Sequence, residues 1–305
     1  MISVIMSTYK EPEEQLRKSI ESILNQTYNN FEFIILLDFP NNDLHKEIIE
    51  SYSAKDSRIR FFINEHNLGL VGSLNRGLSL AQGDFIARMD ADDISLPERF
   101  EKQMKYLLQN DYDLIGGITQ MIDENESAIY SIRNIPSDFN KIKKALKYGQ
   151  CIAHPTWLAK KTLFDHLGGY RNIPLCEDYD FTLRAVLSGY KVSNLNEVIL
   201  KYRMTSNSLS RNNLYEQYLY MRFITKAYTN GKVANISEAT KFVQGKNDSI
   251  RSRKYLKANV LFNALLRELE NKQFCLFIRD GFKLLFCSKD YLNKIYRFAM
   301  LSINS

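Results

Sequence analysis

The sequence predicts an α/β fold in which a mostly parallel sheet is flanked by helices, followed by a C-terminal helical extension. Three observations support this prediction. Short apolar runs alternate three times with amphipathic helical patterns before residue 90, and parallel sheets are built from such repeats. The apolar runs are near-continuous, as in strands buried on both faces. From residue 212 onward, apolar side chains recur only at helical spacing.

Four buried strands and three helices are predicted in the first 90 residues. The strands cover residues 3–7, 33–37, 59–63 and 85–87. Pro12 marks the start of the first helix, because proline fits the first helical position and acidic residues surround it here. The second helix is expected over about residues 43–52, and the third begins near Asn67.

The second half of the predicted sheet is less regular. Strands are expected over residues 114–121, 128–132 and 198–203, and helices after Ser137 and over residues 160–167 and 181–187. An acidic turn at residues 123–125 joins the first two of these strands. Gly168-Gly169 is a typical helix C-terminus and ends the second of these helices.

The composition is that of an ordinary globular protein. The 305 residues are 45% hydrophobic and 25% charged, which suits one large domain or two modest ones. The four cysteines show no metal-ligand or redox spacing, so we expect free thiols in a reducing cytoplasm. No secretory segment opens the chain, and no window approaches the ~20 apolar residues of a membrane span. We therefore expect a cytoplasmic location.

The net charge of +6 is unevenly distributed. Residues 1–211 carry 25 Lys+Arg and 28 Asp+Glu, whereas residues 212–305 carry 16 and 7. This asymmetry argues against a nucleic-acid enzyme with a basic active site. Two interpretations of the tail stay open. Its helices pack on the preceding domain or on a second subunit of a homo-oligomer, or they lie on the anionic cytoplasmic leaflet of the inner membrane.

Three carboxylates occur within four residues directly after the fourth predicted strand, at Asp90, Asp92 and Asp93. Such crowding raises carboxylate pKa values unless a cation lies among them, and a hard divalent metal is the natural occupant. A solvated turn or helix cap before Pro97 explains the same residues. A calcium loop does not, because its glycine is missing and Glu98 comes too early.

Polar residues also follow the first two predicted strands. Ser7, Thr8 and Tyr9 end the first strand, and Asp38 ends the second. In open parallel sheets, ligands bind beyond the carboxyl ends of the strands. These residues and the acidic stretch 90–93 are therefore expected to meet in one crevice, which favours the metal interpretation.

A second acidic site contains Glu177, Asp178 and Asp180, at a predicted helix start. Acidic residues in a first turn interact favourably with the helix dipole, so helix capping is one explanation. The other explanation is a general base, since a carboxylate can accept a proton from a reacting hydroxyl. The residue types alone leave both explanations open.

Five ordered motifs give residues 1–211 a specific resemblance. They are Ser3-Val4-Ile5-Met6-Ser7-Thr8-Tyr9, Ser22-Ile23-Leu24-Asn25-Gln26-Thr27-Tyr28, Asn67-Leu68-Gly69, Gly83-Asp84-Phe85-Ile86-Ala87-Arg88-Met89-Asp90-Ala91-Asp92-Asp93 and Glu177-Asp178-Tyr179-Asp180. This region resembles an inverting family-two glycosyltransferase with the GT-A fold, of the type that builds bacterial capsule, exopolysaccharide and lipooligosaccharide. The resemblance implies a nucleotide-binding half at 1–110 and an acceptor half at 111–211, and the basic helical tail at 212–305 lies outside it.

The resemblance also implies the substrates. The donor would be a nucleotide-diphosphate sugar, expected to be a UDP-sugar, and the acceptor a glycan or a lipid-linked saccharide. The transferred unit would be a hexose or an N-acetylhexosamine. Ser7, Thr8, Tyr9 and Glu11 match the loop that contacts base and ribose, and Asp38 matches an acid that reads the base.

In the resembled family an acidic motif holds Mn²⁺ or Mg²⁺. Asp90, Asp92 and Asp93 match this motif, with Asp92 and Asp93 as metal ligands and Asp90 as a contact to the bound nucleotide. A divalent ion there stabilises the leaving diphosphate. Asp178 matches the catalytic base, and Glu177 supports it. A single displacement at the anomeric carbon inverts its configuration.

Three positions depart from the family pattern. Leu37 and Phe39 replace the acid and the glycine that usually flank Asp38, and Thr205 stands where many relatives carry a metal-binding histidine. His154 matches a recurrent position on the acceptor side, where an acceptor contact and a structural role are both open. Two other functions compete with the transferase: a sugar-nucleotide pyrophosphorylase, which shares a similar sheet, and a non-catalytic assembly subunit.

Overall fold

The structure is a computed structural model that describes residues 1–131, 135–205 and 213–304. Its strands are β1 (Ile2–Thr8), β2 (Phe31–Leu37), β3 (Ile59–Ile63), β4 (Phe85–Asp90), β5 (Ile94–Ser95), β6 (Leu114–Ile122), β7 (Ala128–Ser131), β8 (Leu158–Lys160) and β9 (Val192–Arg203). Its helices are α1 (Glu13–Leu24), α2 (Asp43–Ser53), α3 (Gly69–Leu80), α4 (Arg99–Gln109), α5 (Phe139–Ala145), α6 (Lys161–Leu167), α7 (Glu177–Leu187), α8 (Leu214–Thr229), α9 (Ile236–Lys246), α10 (Ser249–Glu270), α11 (Phe274–Cys287) and α12 (Lys289–Ile303), with a 3-10 turn at His154–Thr156.

The strands of the described chain form one sheet in the order β3-β2-β1-β4-β8-β6-β9-β5, with β7 beside β6. The first four strands pair in parallel. Strand β8 runs antiparallel to both β4 and β6, so β6 and its parallel neighbour β9 point the same way as β4. The carboxyl ends of β1, β2, β4, β6 and β9 therefore lie at one edge of the sheet.

Several elements differ from their predicted bounds. Strand β9 begins at Val192 instead of residue 198, because it pairs with β6 along most of its length. Strands β5 and β8 were not predicted, and helix α4 was foreseen only as the helix start near Pro97 in the alternative explanation of the acidic stretch. Helix α7 begins at Glu177 instead of residue 181, so the second acidic site lies inside its first turn. Residue 132, the predicted end of a strand, lies outside the described residues.

The sheet is covered by helices on both faces. Val4 and Met6 of β1 belong to a buried cluster that includes residues of α1, α2 and α4. Ile5, between them, belongs to a second cluster that includes residues of α3, α6 and α7. This burial on both faces explains why the strands are near-continuous apolar runs.

The C-terminal helices extend the second cluster. Tyr215 of α8, Tyr255 of α10 and Tyr291 of α12 are buried in the same cluster as Trp157, which follows the 3-10 turn. The tail is therefore packed against the preceding helices through its inner side. The predicted boundary between residues 211 and 212 lies outside the described residues. In the described parts of the chain, no helix combines the length and the apolar character needed to cross a bilayer.

Candidate active site

The acidic stretch after β4 begins with Asp90, which is held from two sides. The Arg88 guanidinium donates hydrogen bonds to the Asp90 carboxylate and to the Met89 carbonyl oxygen. From α1, the Ser19 hydroxyl donates to the Asp90 carbonyl oxygen at 2.8 Å. The Asp90 side chain keeps 31% of its surface exposed. Asp90 is thus fixed in place and still accessible to a ligand.

The end of β9 fastens the rest of this stretch. The Arg203 amide donates a hydrogen bond to Asp93 Oδ1 at 2.8 Å, and Arg203 Nε donates to the Asp92 carbonyl oxygen at 2.9 Å. The Arg203 guanidinium forms its ion pair with Glu126. Asp93 is fully buried, and its Oδ2 has no hydrogen-bond partner among the described residues. Asp92 is only partly buried.

These carboxylates repel one another in a buried setting. Burial is the main cause that raises the pKa of Asp92 to about 7, and the charges of Asp90 and Glu11 raise it further. Burial also raises the pKa of Asp93 well above its ordinary value. A bound cation would lower both pKa values, because an opposite charge favours the ionised form.

The chemistry of these oxygen ligands fits Mn²⁺ or Mg²⁺, which prefer carboxylate and water oxygens. The orphaned Oδ2 of Asp93 is consistent with that fit. In the described ranges, no three His, Cys, Asp or Glu side chains are grouped to hold one ion together. A divalent ion at these acids would therefore need oxygens of a substrate and of water to complete its coordination shell.

The loop after β1 is organised by Glu11. Its carboxylate accepts hydrogen bonds from the Thr8 hydroxyl at 2.6 Å and from the Tyr9 amide at 2.8 Å. The Tyr9 and Phe39 ring centroids are 5.3 Å apart, and Lys10 Nζ lies over both rings. Because Tyr9 is 37% exposed, this aromatic pair offers a surface on which a planar base could stack.

His45 in α2 is a site residue that the sequence analysis missed. Its buried ring places Nδ1 3.0 Å from the Thr8 hydroxyl, and Nε2 donates to the Glu11 carbonyl oxygen at 2.8 Å. Asn42, the N-cap of α2, donates to the Tyr9 carbonyl oxygen at 3.1 Å. The start of α2 therefore supports the loop after β1. A lone histidine in a helix gives no sequence signal for contacts with residues more than 30 positions away.

Asp38 lies at the carboxyl end of β2, as predicted, and its carboxylate contacts the next strand and helix. Asp38 Oδ1 accepts hydrogen bonds from Asn64 Nδ2 at 2.6 Å and from the Leu68 amide at 2.8 Å. Asp38 thereby fixes the residues that precede α3. Ser7 is in register with Asp90, so the ends of β1 and β4 are adjacent.

Glu177 and Asp178 lie in the first turn of α7. Gln150 Nε2 donates a hydrogen bond to Asp178 Oδ2 at 3.3 Å and another to the Thr182 hydroxyl at 3.0 Å. Burial raises the pKa of Glu177 to about 7, with the charge of Asp178 as the second cause. Burial also raises the pKa of Asp178, and the hydrogen bond from Gln150 partly opposes that shift.

The two acidic sites share one electrostatic field. The charge of Asp90 raises the pKa of both Glu177 and Asp178, and the charge of Arg88 lowers that of Glu177. Trp157 connects the two elements: its carbonyl oxygen accepts a hydrogen bond from the Arg88 amide of β4 at 3.0 Å, and its ring centroid lies 5.6 Å from that of Phe181 in α7. A single crevice that joins the two acidic sites stays a prediction.

Tyr170 and His154 border this region. His154 Nε2 lies 2.8 Å from the Tyr170 hydroxyl, within hydrogen-bonding distance. Burial and then the charge of Arg88 hold the pKa of His154 well below its ordinary value, so the ring is neutral at pH 7. Burial raises the pKa of the Tyr170 hydroxyl, the charge of Arg88 opposes that shift, and the charges of Asp178 and Glu177 add to it. A contact between His154 and an acceptor stays a prediction.

Asp180, the last acid of its motif, has a structural role. Its buried carboxylate accepts hydrogen bonds from Arg171 Nε at 3.0 Å and from Arg184 Nε at 2.8 Å. Arg184 also donates to the Leu167 and Gly169 carbonyl oxygens. This network fixes α7 against the turn that ends α6 and so determines where Asp178 lies.

Three further residues around the site were not identified from the sequence. They are Arg88, Gln150 and Arg203, which hold the two acidic sites in place. Arg88 lies inside a quoted motif, so a buried cation beside three acids was a usable signal. Gln150 gave no signal, because its role depends on the packing of α7.

Comparisons with known proteins agree with this fold. The model of the family described as "Glycosyl transferase family 2" matches residues 3–168. An uncharacterized glycosyltransferase of Methanocaldococcus jannaschii, MJ1057, is 40% identical over 233 residues, which cover 76% of this chain and 80% of that protein. The O-antigen biosynthesis glycosyltransferase WbnJ of Escherichia coli is 36% identical over 233 residues, which cover 74% of this chain and 90% of that protein.

A solved structure shows the same fold over nearly the whole chain. The crystal structure of S. aureus TarS 1-349 in complex with UDP gives a TM-score of 0.61 at 17% identity and covers 99% of this chain and 88% of that chain. This fold defines a GT-A glycosyltransferase. The chain belongs to glycosyl transferase family 2. The predicted family, the α/β fold and the helical C-terminal region are thus confirmed, and the family disfavours the pyrophosphorylase alternative.

Proposed function

We propose that the protein is an inverting, metal-dependent hexosyltransferase. It transfers a hexose or an N-acetylhexosamine from a UDP-sugar to a glycan or a lipid-linked saccharide. The observation that supports this proposal is the position of two acidic sites: Asp90 to Asp93 lie at the end of β4 and are held by Arg88 and Arg203, and Asp178 lies in the first turn of α7 and accepts a hydrogen bond from Gln150. The acidic stretch after β4 suits a diphosphate with its counter-ion. The acidic site in α7 suits acceptance of a proton.

The nucleotide lies beyond the ends of β1 and β2 in this proposal. Tyr9 presents an exposed ring for the base, and Thr8 and Glu11 hold the loop that carries it. Ser7 and Asp90, adjacent in the sheet, contact the ribose. A UDP donor is supported by the TarS structure, which contains UDP.

Asp92 and Asp93 are the proposed protein ligands of Mn²⁺ or Mg²⁺. Asp92 is partly exposed, and Asp93 has one buried oxygen with no hydrogen-bond partner among the described residues. When bound, the ion supplies Lewis-acid stabilisation of the charge that develops on the diphosphate. Arg203 keeps both acids in position through the Asp92 carbonyl oxygen and the Asp93 carboxylate.

Asp178 is the proposed general base. It accepts the proton of the acceptor hydroxyl while that oxygen attacks the anomeric carbon and the bond to the diphosphate oxygen breaks. Attack opposite the leaving group inverts the anomeric configuration. Gln150 orients the Asp178 carboxylate through its hydrogen bond. Glu177 supports the base by raising its affinity for a proton, because two neighbouring carboxylates disfavour joint ionisation.

We further propose that this reaction serves the biosynthesis of a surface polysaccharide, such as a capsule, an exopolysaccharide or a lipopolysaccharide, in the cytoplasm. The relative WbnJ, an O-antigen biosynthesis glycosyltransferase, supports this context. The test is a panel of nucleotide sugars incubated with the full chain and Mn²⁺, followed by determination of the product's anomeric configuration. Retained configuration would contradict the proposal, and UTP release on addition of pyrophosphate would favour the pyrophosphorylase.

Replacing His45 with alanine is expected to raise the KM for the donor about 30-fold with little change in kcat. The variant loses two contacts that order the loop after β1, each worth about 1 kcal/mol, and a pure binding defect appears in KM. Steady-state kinetics at varied donor concentration provide the measurement. His166→Ala, which removes an exposed ring bonded to the Tyr190 hydroxyl, is the control. A loss confined to kcat would contradict a role in the nucleotide loop.

We expect kcat/KM to rise with pH and to level off once Asp178 is ionised. Burial raises the pKa of Asp178, and burial together with the charge of Asp178 raises that of Glu177 to about 7. A protonated Asp178 cannot accept a proton, so activity is lost as the pH falls. The charge of Asp90 further raises the pKa of both Glu177 and Asp178, whereas the charge of Arg88 lowers the pKa of Glu177. The pH profile of kcat/KM at saturating metal provides the measurement.

Glu177→Gln tests the coupling within this pair. Removing the neighbouring charge makes Asp178 easier to ionise, so the acid limb of the profile moves to lower pH. Glu50→Gln, at an exposed position in α2, is the control and keeps the wild-type profile. A limb that stays in place or moves to higher pH in Glu177→Gln would show that the two acids are not coupled in the active enzyme.

A further inference from the structure

The outer side of α11 carries an apolar stripe with no protein partner in the described structure. The stripe consists of Phe274, Ile278, Phe282, Leu285 and Phe286, which are 59%, 59%, 61%, 55% and 88% exposed. Their spacing of four, four, three and one residues places them on one face of the helix. The opposite face packs inward through Leu284, which is 6% exposed. The helix is therefore anchored on one side and uncovered on the other.

This stripe is larger than the scattered apolar residues of an ordinary surface. Three phenylalanines and two aliphatic side chains at this exposure present on the order of 500 Å² of apolar area. Contiguous patches of that size mark interaction sites on soluble proteins. Burying a single such side chain contributes about 1.5–3 kcal/mol, so a partner for this face would gain substantial binding energy.

The charge around the stripe indicates the kind of partner. Residues 249–303, which include α10, α11 and α12, carry 11 Lys+Arg and 4 Asp+Glu, and nine of the basic residues are exposed, whereas Lys294 and Arg297 are partly buried. Lys272 and Lys289 flank α11 at its two ends and are exposed. Arg279 and Lys283 also lie on α11, where both form ion pairs with Asp280. The uncovered stripe is thus set in a basic surface.

We propose that the outer face of α11 is a docking surface for the anionic surface of a membrane. A helix with aromatic and aliphatic residues on one side and basic residues around them lies in the plane of the lipid interface, and anionic lipids attract nearby lysines and arginines. A second copy of this chain fits less well, because pairing two such faces would bring their basic rims together. This inference goes beyond the proposed function and does not depend on it.

The test is cosedimentation of the full chain with phosphatidylcholine vesicles that contain or lack about one third phosphatidylglycerol. We expect binding to the anionic vesicles that weakens with salt. Lys272→Gln/Lys289→Gln lowers the partition coefficient about 30-fold, since each lysine contributes about fivefold near an anionic surface. Lys232→Gln/Lys241→Gln, which removes the same charge from exposed positions outside these helices, retains wild-type binding.

A second pair of variants tests the apolar stripe. Phe282→Ser/Phe286→Ser lowers vesicle binding at least about tenfold per ring that enters the lipid. The control is Leu44→Ser/Leu108→Ser, which changes two exposed leucines of α2 and α4. This variant retains wild-type binding to the vesicles. Light scattering after size exclusion shows whether the stripe pairs copies of the chain. A dimer that the Phe282→Ser/Phe286→Ser variant dissociates, equal binding to both vesicle types, or no binding at low salt would each overturn the proposal.

Discussion

Replacing Asp178 with asparagine is expected to lower kcat about a thousandfold, within the range that general base catalysis contributes. Asparagine keeps the size of the side chain and can still interact with Gln150, but its amide oxygen is far too weak a base to take the acceptor proton. The acidic stretch after β4 is untouched, so UDP binding persists. Donor turnover with a saturating acceptor and calorimetric titration of UDP provide the two measurements.

The matched control is Asp165→Asn, which makes the same chemical change at an exposed residue of α6 paired with Lys161. Its kcat stays at the wild-type value. Full turnover by Asp178→Asn would show that the base is misassigned and would direct attention to Glu177. A wild-type chain that binds UDP yet transfers no sugar to any acceptor of a broad panel would instead favour the non-catalytic alternative.

The second large effect is expected for Asp92→Asn, which should lower kcat/KM on the order of 100-fold or more by weakening the site for the divalent ion. We expect wild-type protein to bind UDP more tightly in the presence of Mn²⁺ than in the presence of a chelator. The variant loses that difference, because one of the two proposed carboxylate ligands is gone. Titration of UDP in the presence and absence of Mn²⁺ provides the measurement.

Asp84→Asn is the control for this substitution. Asp84 lies just before β4, at the opposite end from the acidic stretch, and its exposed carboxylate pairs with the chain's amino terminus. This control keeps the Mn²⁺ dependence of UDP binding. An Asp92→Asn variant with the same Mn²⁺ dependence as wild type would remove Asp92 from the set of metal ligands.

The first half of the fold was predictable because its elements follow from local pattern. Each buried strand is a short apolar run, and each helix repeats its apolar residues at helical spacing. The acidic stretch was predictable for a similar reason, since three carboxylates in four residues are visible without any tertiary information. Its position at a strand end then followed from the general rule for parallel sheets.

The second half was less predictable because pairing overrides local pattern there. Strand β9 extends to Val192 because it pairs with β6. The order of apolar and polar residues at 192–197 does not predict this pairing. The same holds for supporting residues of the site. His45 and Gln150 are ordinary polar residues by composition, and their roles depend on contacts with parts of the chain about 30 or more positions away.

In the C-terminal tail, too, the sequence predicted the helices, and their packing decided which residues are buried. The sequence predicted helices rich in aromatic and basic residues but left open what those residues contact. The structure buries Tyr215, Tyr255 and Tyr291 in the shared core and leaves the stripe from Phe274 to Phe286 uncovered. Which aromatic residues face inward depends on how the helices pack, so the pattern within one helix does not determine it.

The sequence by itself determined the order of strands and helices, the family and the two clusters of carboxylates, because each is encoded in neighbouring residues. Only the tertiary structure decided that Arg203 holds the acidic stretch, that Gln150 contacts Asp178, and that α11 has an uncovered side. Such relations join residues that are distant along the chain. They arise from the direction of strands and the packing of helices, which are properties of the whole fold.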